Sequence, residues 1–540
     1  MKFPNSLLLI CLLIIGLMAG CASKQVAEPG PLTHFSDSLD LSPVMAENRQ
    51  STLPEDWYRK AVFMEIYVRG FKDSDGNGVG DFNGIIEKLD YLKELGIGGI
   101  WLMPMMKSQD NDHGYAVVDY RATEKDYGTL EDFKRLLDEA HKRGIGVIVD
   151  YVINHSAALN PLFKDSQHPL SDKRDWYIWS EDKQFWPRWD YENTWHEGKH
   201  GYYYGVFWSQ MPDFNMKNPE VLEFHKNNLR FWMNLGVDGF RFDAVGSLVE
   251  NGNGAMFSQP ENDQILQELQ QTLGEFDNRY MVCEDPTGSL RVGKKESCGS
   301  AFYFGMHKEL IASATYGWPS RDLIGAVKRA PHNDMAIMLA NHDSFAGNRV
   351  IKQVGGDETS YKMAATLLLT LPGIPFVYYG EEIGMGHGEK AFGDHALRAP
   401  MSWNSDPDTA GFTTAKRMFR LPAENRATYN VEDELKDPES LLSFYRSLIN
   451  ARNNIPALQT GDFENIKQDA ASLLTFLRKA EDAEALIMVN LGRKEATARY
   501  QSLDNKIWTP AFTHNVDAVN ASNGEMVMPP YSIAIFTRHL

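Results

Sequence analysis

Cysteine is scarce in this chain. Of its four, Cys11 lies in an N-terminal apolar run and Cys21 directly behind it, leaving Cys283 and Cys298 and excluding more than one internal disulfide. The sequence leaves that one pairing open. Basic charge is also short: 54 Lys and Arg stand against 73 Asp and Glu, and the net charge of -19 offers little to neutralise the phosphates of a nucleic acid. A neutral partner fits better. Beyond the N-terminus no segment is long and apolar enough to span a bilayer, and no internal repeat or low-complexity block occurs. What is there, 43% hydrophobic and 24% charged residues over 540 positions, is ordinary globular composition with length for more than one domain.

Residues 1–20 carry Lys2, an apolar run over 7–17 and then Met18, Ala19 and Gly20 before Cys21. This is the pattern of a signal peptide. The small residues before Cys21 resemble a bacterial lipobox, so Cys21 is expected to carry lipid as the first mature residue. Ala22, not Asp, follows it, which points to the outer membrane. Residues 21–52 have no periodic apolar pattern and contain Pro29, Pro31 and Pro43, as expected of a tether.

From residue 61 onward, short β-branched or aromatic runs alternate with amphipathic helical stretches, the sign of βα units around a parallel sheet. Eight strands are expected, over 61–68, 98–104, 146–152, 239–244, 280–285, 301–305, 335–343 and 374–380. Helix starts are marked by Thr129 with Asp132 three positions on, and by Asn218 before Pro219. Eight units suggest a (β/α)8 TIM barrel over 53–450, with a doubly wound open sheet as the alternative. Residues 156–210 are too long for an ordinary loop and rich in Trp, Tyr, Asp and Pro, and so form an inserted subdomain after the third strand. Strand-like runs at 473–477, 485–489 and 532–536 suggest a C-terminal antiparallel β-domain over 451–540.

In such a barrel function collects at the C-terminal strand ends. There the sequence places Asp150 to His155, Gly239 to Asp243, Cys283-Glu284-Asp285 and Asn341-His342-Asp343. Arg241 and Asp243, two apart on a strand, share a face, and the cation keeps its neighbour ionised. One ionised carboxylate near a second with a raised pKa is what glycoside cleavage requires. Histidines beside them, neutral at pH 7, can hydrogen-bond sugar hydroxyls, and the 11% aromatic residues offer faces for sugar rings as well as core.

The segments DYVINHS (150–156), GFRFDAV (239–245), CED (283–285) and NHDS (341–344), with MPDFN (211–215) and GIPFVYYGEE (373–382), resemble the α-amylase family of glycoside hydrolases. The resemblance lies near the boundary of its α-amylase, oligo-1,6-glucosidase and neopullulanase groups. It implies Asp243 as nucleophile, Glu284 as acid/base and Asp343 as transition-state stabiliser, with Arg241, His155 and His342 around the reacting glucose. Asp285 is the rival acid, since CEDPTG departs from the usual setting. The resemblance further implies that Tyr115 stacks on that glucose and that Asp112 and Arg398 grip its far end. A small Ala244 after the nucleophile goes with α-1,4 bonds. The expected function is therefore retaining α-1,4 hydrolysis of maltooligosaccharides or starch. Exo-acting α-glucosidase or oligo-1,6-glucosidase, cyclomaltodextrinase or transglycosylase action, and a non-catalytic glucan-binding lipoprotein, are the alternatives.

Asp73, Asp75, Asn77 and Asp81 alternate around Gly78, with the carbonyl of Val79 available, as in the first part of an EF-hand-like loop. The twelfth position is Gly84, not Glu. Related barrels bind a structural calcium in a similar loop, and calcium is the one cofactor expected. The other expected partners are an α-glucan and a membrane reached only through the lipid; the sequence sets no oligomeric state.

Overall fold

The computed structural model describes residues 31–500, 508–517 and 524–539. The signal segment and Cys21 lie outside them. Seven parallel strands form the central sheet: β1 (Phe63–Ile66), β2 (Gly99–Leu102), β3 (Gly146–Tyr151), β4 (Gly239–Phe242), β5 (Tyr280–Cys283), β6 (Ala336–Met338) and β7 (Ile374–Tyr378). They lie in the order β5-β4-β3-β2-β1-β7-β6, every neighbouring pair parallel.

The segment expected as a strand over 301–305 does not form a ladder. It contributes single parallel bridges, Cys283 to Ala301 on one side and Phe302 to Ala336 on the other, and these join β5 to β6 around the barrel. The reason is that a helix, Phe304–Tyr316, begins where the strand would have continued.

Strand residues bury on both faces, as a parallel sheet covered by helices requires. Met64, Ile66, Val147, Val149, Phe240 and Phe242 belong to the core shared with the helices. Phe63, Trp101, Ile148, Tyr280, Val282, Phe302, Met338 and Phe376 form a separate core inside the barrel. There Phe63 stacks on Phe376 with ring centres 4.6 Å apart, and Phe302 packs 5.1 Å from Trp101. Each such buried side chain stabilises by about 1.5–3 kcal/mol, so Phe302 helps hold the weak seam it bridges.

The insertion after β3 carries a helix, α1 (Pro161–Ser166), and a small sheet made of Trp179–Ser180, Trp195–Gly198 and Gly201–Tyr204. A bridge from His155 to Asp213 closes its base. The C-terminal domain is an antiparallel sheet whose first strand starts at Asp462. The boundary expected at residue 451 falls inside helix Leu441–Asn454 and moves accordingly.

The tether expected over 21–52 is corrected in its described part, residues 31–52. Asp165 of α1 accepts hydrogen bonds from the Phe35 and Ser36 amides at 2.6 and 2.9 Å and from Ser36 Oγ. Farther on, Val44 N–H donates to Asn227, and the Glu47 and Asn48 amides donate to Asn234. The segment is a strap across the inserted subdomain and helix α2 (Pro219–Leu235). Its polar anchoring leaves no hydrophobic period in the sequence.

Candidate active site

Side chains alternate along a strand, so a polar residue two positions beyond an inward apolar one also points inward. Phe63 is followed in this way by Glu65, Ile148 by Asp150, and Val282 by Glu284, while on β4 Arg241 leads to Asp243. The barrel core thus ends in a polar layer on the side of the inserted subdomain.

Arg241 is the centre of that layer. Its Nη1 lies 2.9 Å from Asp150 and 2.6 Å from Asp243, and its Nη2 lies 2.8 Å from Glu284 Oε2. The guanidinium sits over Trp101, 5.2 Å from the ring centre. Glu284 Oε2 also accepts from the Ala244 amide at 3.3 Å, whereas its buried Oε1 has no partner. Burial pushes the Glu284 carboxyl up to about 8; Arg241 opposes the rise, and Asp243 and Asp343 add to it. A carboxyl so placed keeps its proton at neutral pH.

Asp343 has the opposite character. Burial would raise it, but His342, with Nε2 3.1 Å away, and Arg398, with Nη2 2.8 Å away, hold it well below the usual carboxylate range. Burial works against the charge on His342, yet Asp343 and Glu65, which binds its Nδ1, push it up to about 10. His342 is therefore cationic at neutral pH, a correction to the neutral state expected of it. His155 is the neutral one: burial takes it down to about 4, and neither ring nitrogen has a partner.

Tyr115 donates to Asp150 at 3.0 Å, lies 2.7 Å from His342 Nε2, and holds its ring within 20° of the imidazole plane. Asp112 closes one end of the site. Tyr67 and Arg420 each reach its Oδ1 at 2.8 Å, and His395 and Arg398 lie 3.1 and 3.5 Å from its Oδ2. Burial would raise Asp112, but Arg420 and Arg398 lower it to about 2.

The structure thus brings Asp112, Tyr115, Arg241, Asp243, Glu284, His342, Asp343 and Arg398 into one polar cluster, with His155 beside it. Asp285 stands apart, since its Oδ1 accepts from the Thr287 and Gly288 amides at 3.2 and 2.8 Å and so builds the turn after β5. Sequence reasoning gave no role to Glu65, Asp150, Tyr67, Arg420 or His395. Strand parity could have found the first two. Arg420 arrives from a loop and His395 from the short helix Asp394–Leu397, and no local pattern connects either to Asp112.

Two further features flank the cluster. Cys283 and Cys298 are joined in a disulfide with Cα atoms 6.3 Å apart, tying the residue before Glu284 to the far end of the following loop. In the loop at 73–81, carboxylate oxygens of Asp73, Asp75 and Asp81 lie within 4.8 Å of one another, a donor set of hard oxygens. Asn77 Oδ1 accepts from the Val79 amide there, and its Nδ2 donates to Asp75.

Residues 65–461 match the family described as alpha amylase, catalytic domain. The chain is 35% identical over 500 residues to Alpha-amylase 3 of Dictyoglomus thermophilum, covering 89% of this chain and 94% of the relative. It is 31% identical over 527 residues to the Trehalose synthase/amylase TreS of Mycobacterium tuberculosis, covering 85% of each. Among solved structures it resembles the α-amylase of H. orenii with a TM-score of 0.76 and 34% identity, over 88% of this chain and 99% of that one.

Proposed function

Since the chain belongs to the α-amylase family and is a glycoside hydrolase, we propose that it cleaves α-1,4-glucosidic bonds in maltooligosaccharides or starch with retention. The observation that carries this is the sharing of one guanidinium by Asp243 and Glu284. Arg241 holds the two carboxyl groups on its two terminal nitrogens, so both reach one glycosidic bond, as a nucleophile and a proton donor must.

In the reaction Asp243, paired with Arg241 at 2.6 Å, attacks the anomeric carbon while Glu284 gives its proton from Oε1 to the departing oxygen. The bond to the leaving sugar breaks as the covalent β-glucosyl ester forms. Water then attacks that ester, Glu284 takes the water's proton, and Asp243 is released. Asp343, ionised beside two cations, stabilises the positive charge that develops on the ring. His155, with two free nitrogens, and Tyr115 bind the reacting glucose.

Ala244 supports the α-1,4 reading. The closed end built on Asp112 favours a second reading, exo-action on short oligosaccharides, because Arg398 is joined there by Arg420, His395 and Tyr67. Calcium is proposed in the loop of Asp73, Asp75, Asn77, Val79 and Asp81, where it would neutralise converging carboxylates and brace the loop after β1. Lipidation at Cys21 and an outer-membrane location are proposed from the sequence.

Asp243→Asn is expected to abolish turnover of maltoheptaose while leaving thermal melting within a few degrees of the parent. Near-normal activity would remove Asp243 from the nucleophile's role.

A further inference from the structure

Glu284 is held from one side. Its amide donates to the Phe242 carbonyl at 2.9 Å, its carbonyl accepts from the Val245 amide at 3.0 Å, and its Oε2 meets the Ala244 amide and Arg241. Among the described residues, every hydrogen bond and ion pair of Glu284 thus goes to β4 or to the residues directly after it. On its other edge β5 has no ladder. There Cys283 alone is bridged, donating to the Ser300 carbonyl at 3.0 Å and accepting from the Phe302 amide at 3.1 Å. A full sixth strand would pair along the whole of β5, as β4 does from Tyr280 to Cys283.

The disulfide sits at that one bridged residue. Val282 belongs to the core inside the barrel and Glu284 follows it on the same face, so Cys283 between them points outward, where it and Cys298 share the core beneath the helices. The bond therefore acts through the backbone of β5, from the face opposite the cleft. It joins residues 15 apart and closes the stretch that leaves the strand at Glu284 and returns to it at Ser300. Within that stretch the chain turns on Asp285, forms the short helix Ser289–Val292, and folds back so that the Cys298 amide donates to the Val292 carbonyl at 2.9 Å. Besides the bridge at Cys283, the returning chain is hydrogen-bonded to β5 at one point, Tyr280 Oη with Ser300 Oγ at 2.9 Å.

We propose that the Cys283–Cys298 pair is a positioning device for the proton donor: it takes the place of the ladder a full sixth strand would supply and holds the end of β5 so that the Glu284 carboxyl stays against Arg241. This rests on the reading of Glu284 as the donor. Burial is the largest influence on that carboxyl, opposed by Arg241 and His342 and reinforced by Asp243 and Asp343. Water admitted by a loosened strand end therefore lowers its pKa.

The test uses the full-length enzyme and its Cys283→Ala/Cys298→Ala variant on maltotriose and α-glucosyl fluoride. In kcat/KM both report cleavage of the bond to the leaving group, but fluoride departs without a proton whereas a sugar oxygen needs one. Turnover of the fluoride by the parent checks the glycosidase reading by itself, and its persistence in the variant shows a folded site. The ratio of kcat/KM for maltotriose to kcat/KM for the fluoride is expected to fall about tenfold in the variant, because small displacements of a reacting group cost that much or more. The alkaline limb on maltotriose is expected to move down by about one pH unit. A ratio within twofold of the parent, or a limb that stays in place, would overturn the proposal and leave the disulfide a structural tie. If the variant does not fold, both readings are taken on the parent after reduction by a dithiol, with free thiols counted by alkylation, and the same outcomes decide.

Discussion

Glu284 owes its proton to position. Its neighbour Asp285 has the same chemistry one residue away, but its carboxylate accepts from two backbone amides while Glu284 keeps one buried oxygen without a partner. The sign of the pH dependence follows. In the proposed mechanism the protonated form is the donor, and with the carboxyl near 8 the rate on maltotriose is expected to hold through neutrality and fall as pH rises through about 8. Glu284→Gln should lower kcat on that substrate by about 10²–10⁴ and abolish this limb, whereas Asp285→Asn should lower the melting temperature and leave the limb in place. An alkaline limb that persists in Glu284→Gln would place the acid elsewhere. At this scale much was legible: parity along strands aligns Arg241 with Asp243. What was not legible was protonation, as His342 shows, because its charge comes from Glu65 and Asp343 on different strand ends.

At the scale of elements, local signals read well where the interaction itself is local. Thr129 and Asp132 form the expected reciprocal cap, and Asn218 caps the helix that starts at Pro219. The segment at 301–305 read as a strand because its composition is strand-like, but a sheet position is decided by neighbours, and here the following helix begins early. The strap at 35–49 left no helical or strand pattern, since single polar side chains hold its amides and only Leu39, Leu41 and Ala46 pack partly against the core. Asp165→Ala removes the acceptor of three of those bonds and is expected to cost about 1–3 kcal/mol in chemical denaturation, with faster proteolysis within 31–52. Protection equal to the parent's would mean that the strap is held by its other contacts. The loop of Asp73, Asp75 and Asp81 is the complementary case, a motif legible as spacing alone. Removal of calcium with a chelator should lower the melting temperature by several degrees, restored by added calcium; an unchanged melting temperature would remove the metal from the loop.

The whole molecule joins a barrel, an inserted subdomain and a C-terminal sheet, and among the described residues no helix is long and apolar enough to cross a membrane. The proposed membrane attachment is through lipid on Cys21. Cys21→Ser is expected to move the protein from the membrane fraction to the soluble one, and unchanged fractionation would count against lipidation. Alternating runs and strand-end motifs determined the barrel class and the family and singled out Asp243, Glu284 and Asp343 as candidates, because strand periodicity and short motifs are written along the chain. Only the tertiary structure decided the sharing of Arg241, the burial that protonates Glu284, the pairing of Cys283 with Cys298 and the docking of the strap. Each of these depends on residues that are distant in sequence and meet only when the barrel closes, and burial, which sets the charge of the groups it encloses, exists only in the folded chain.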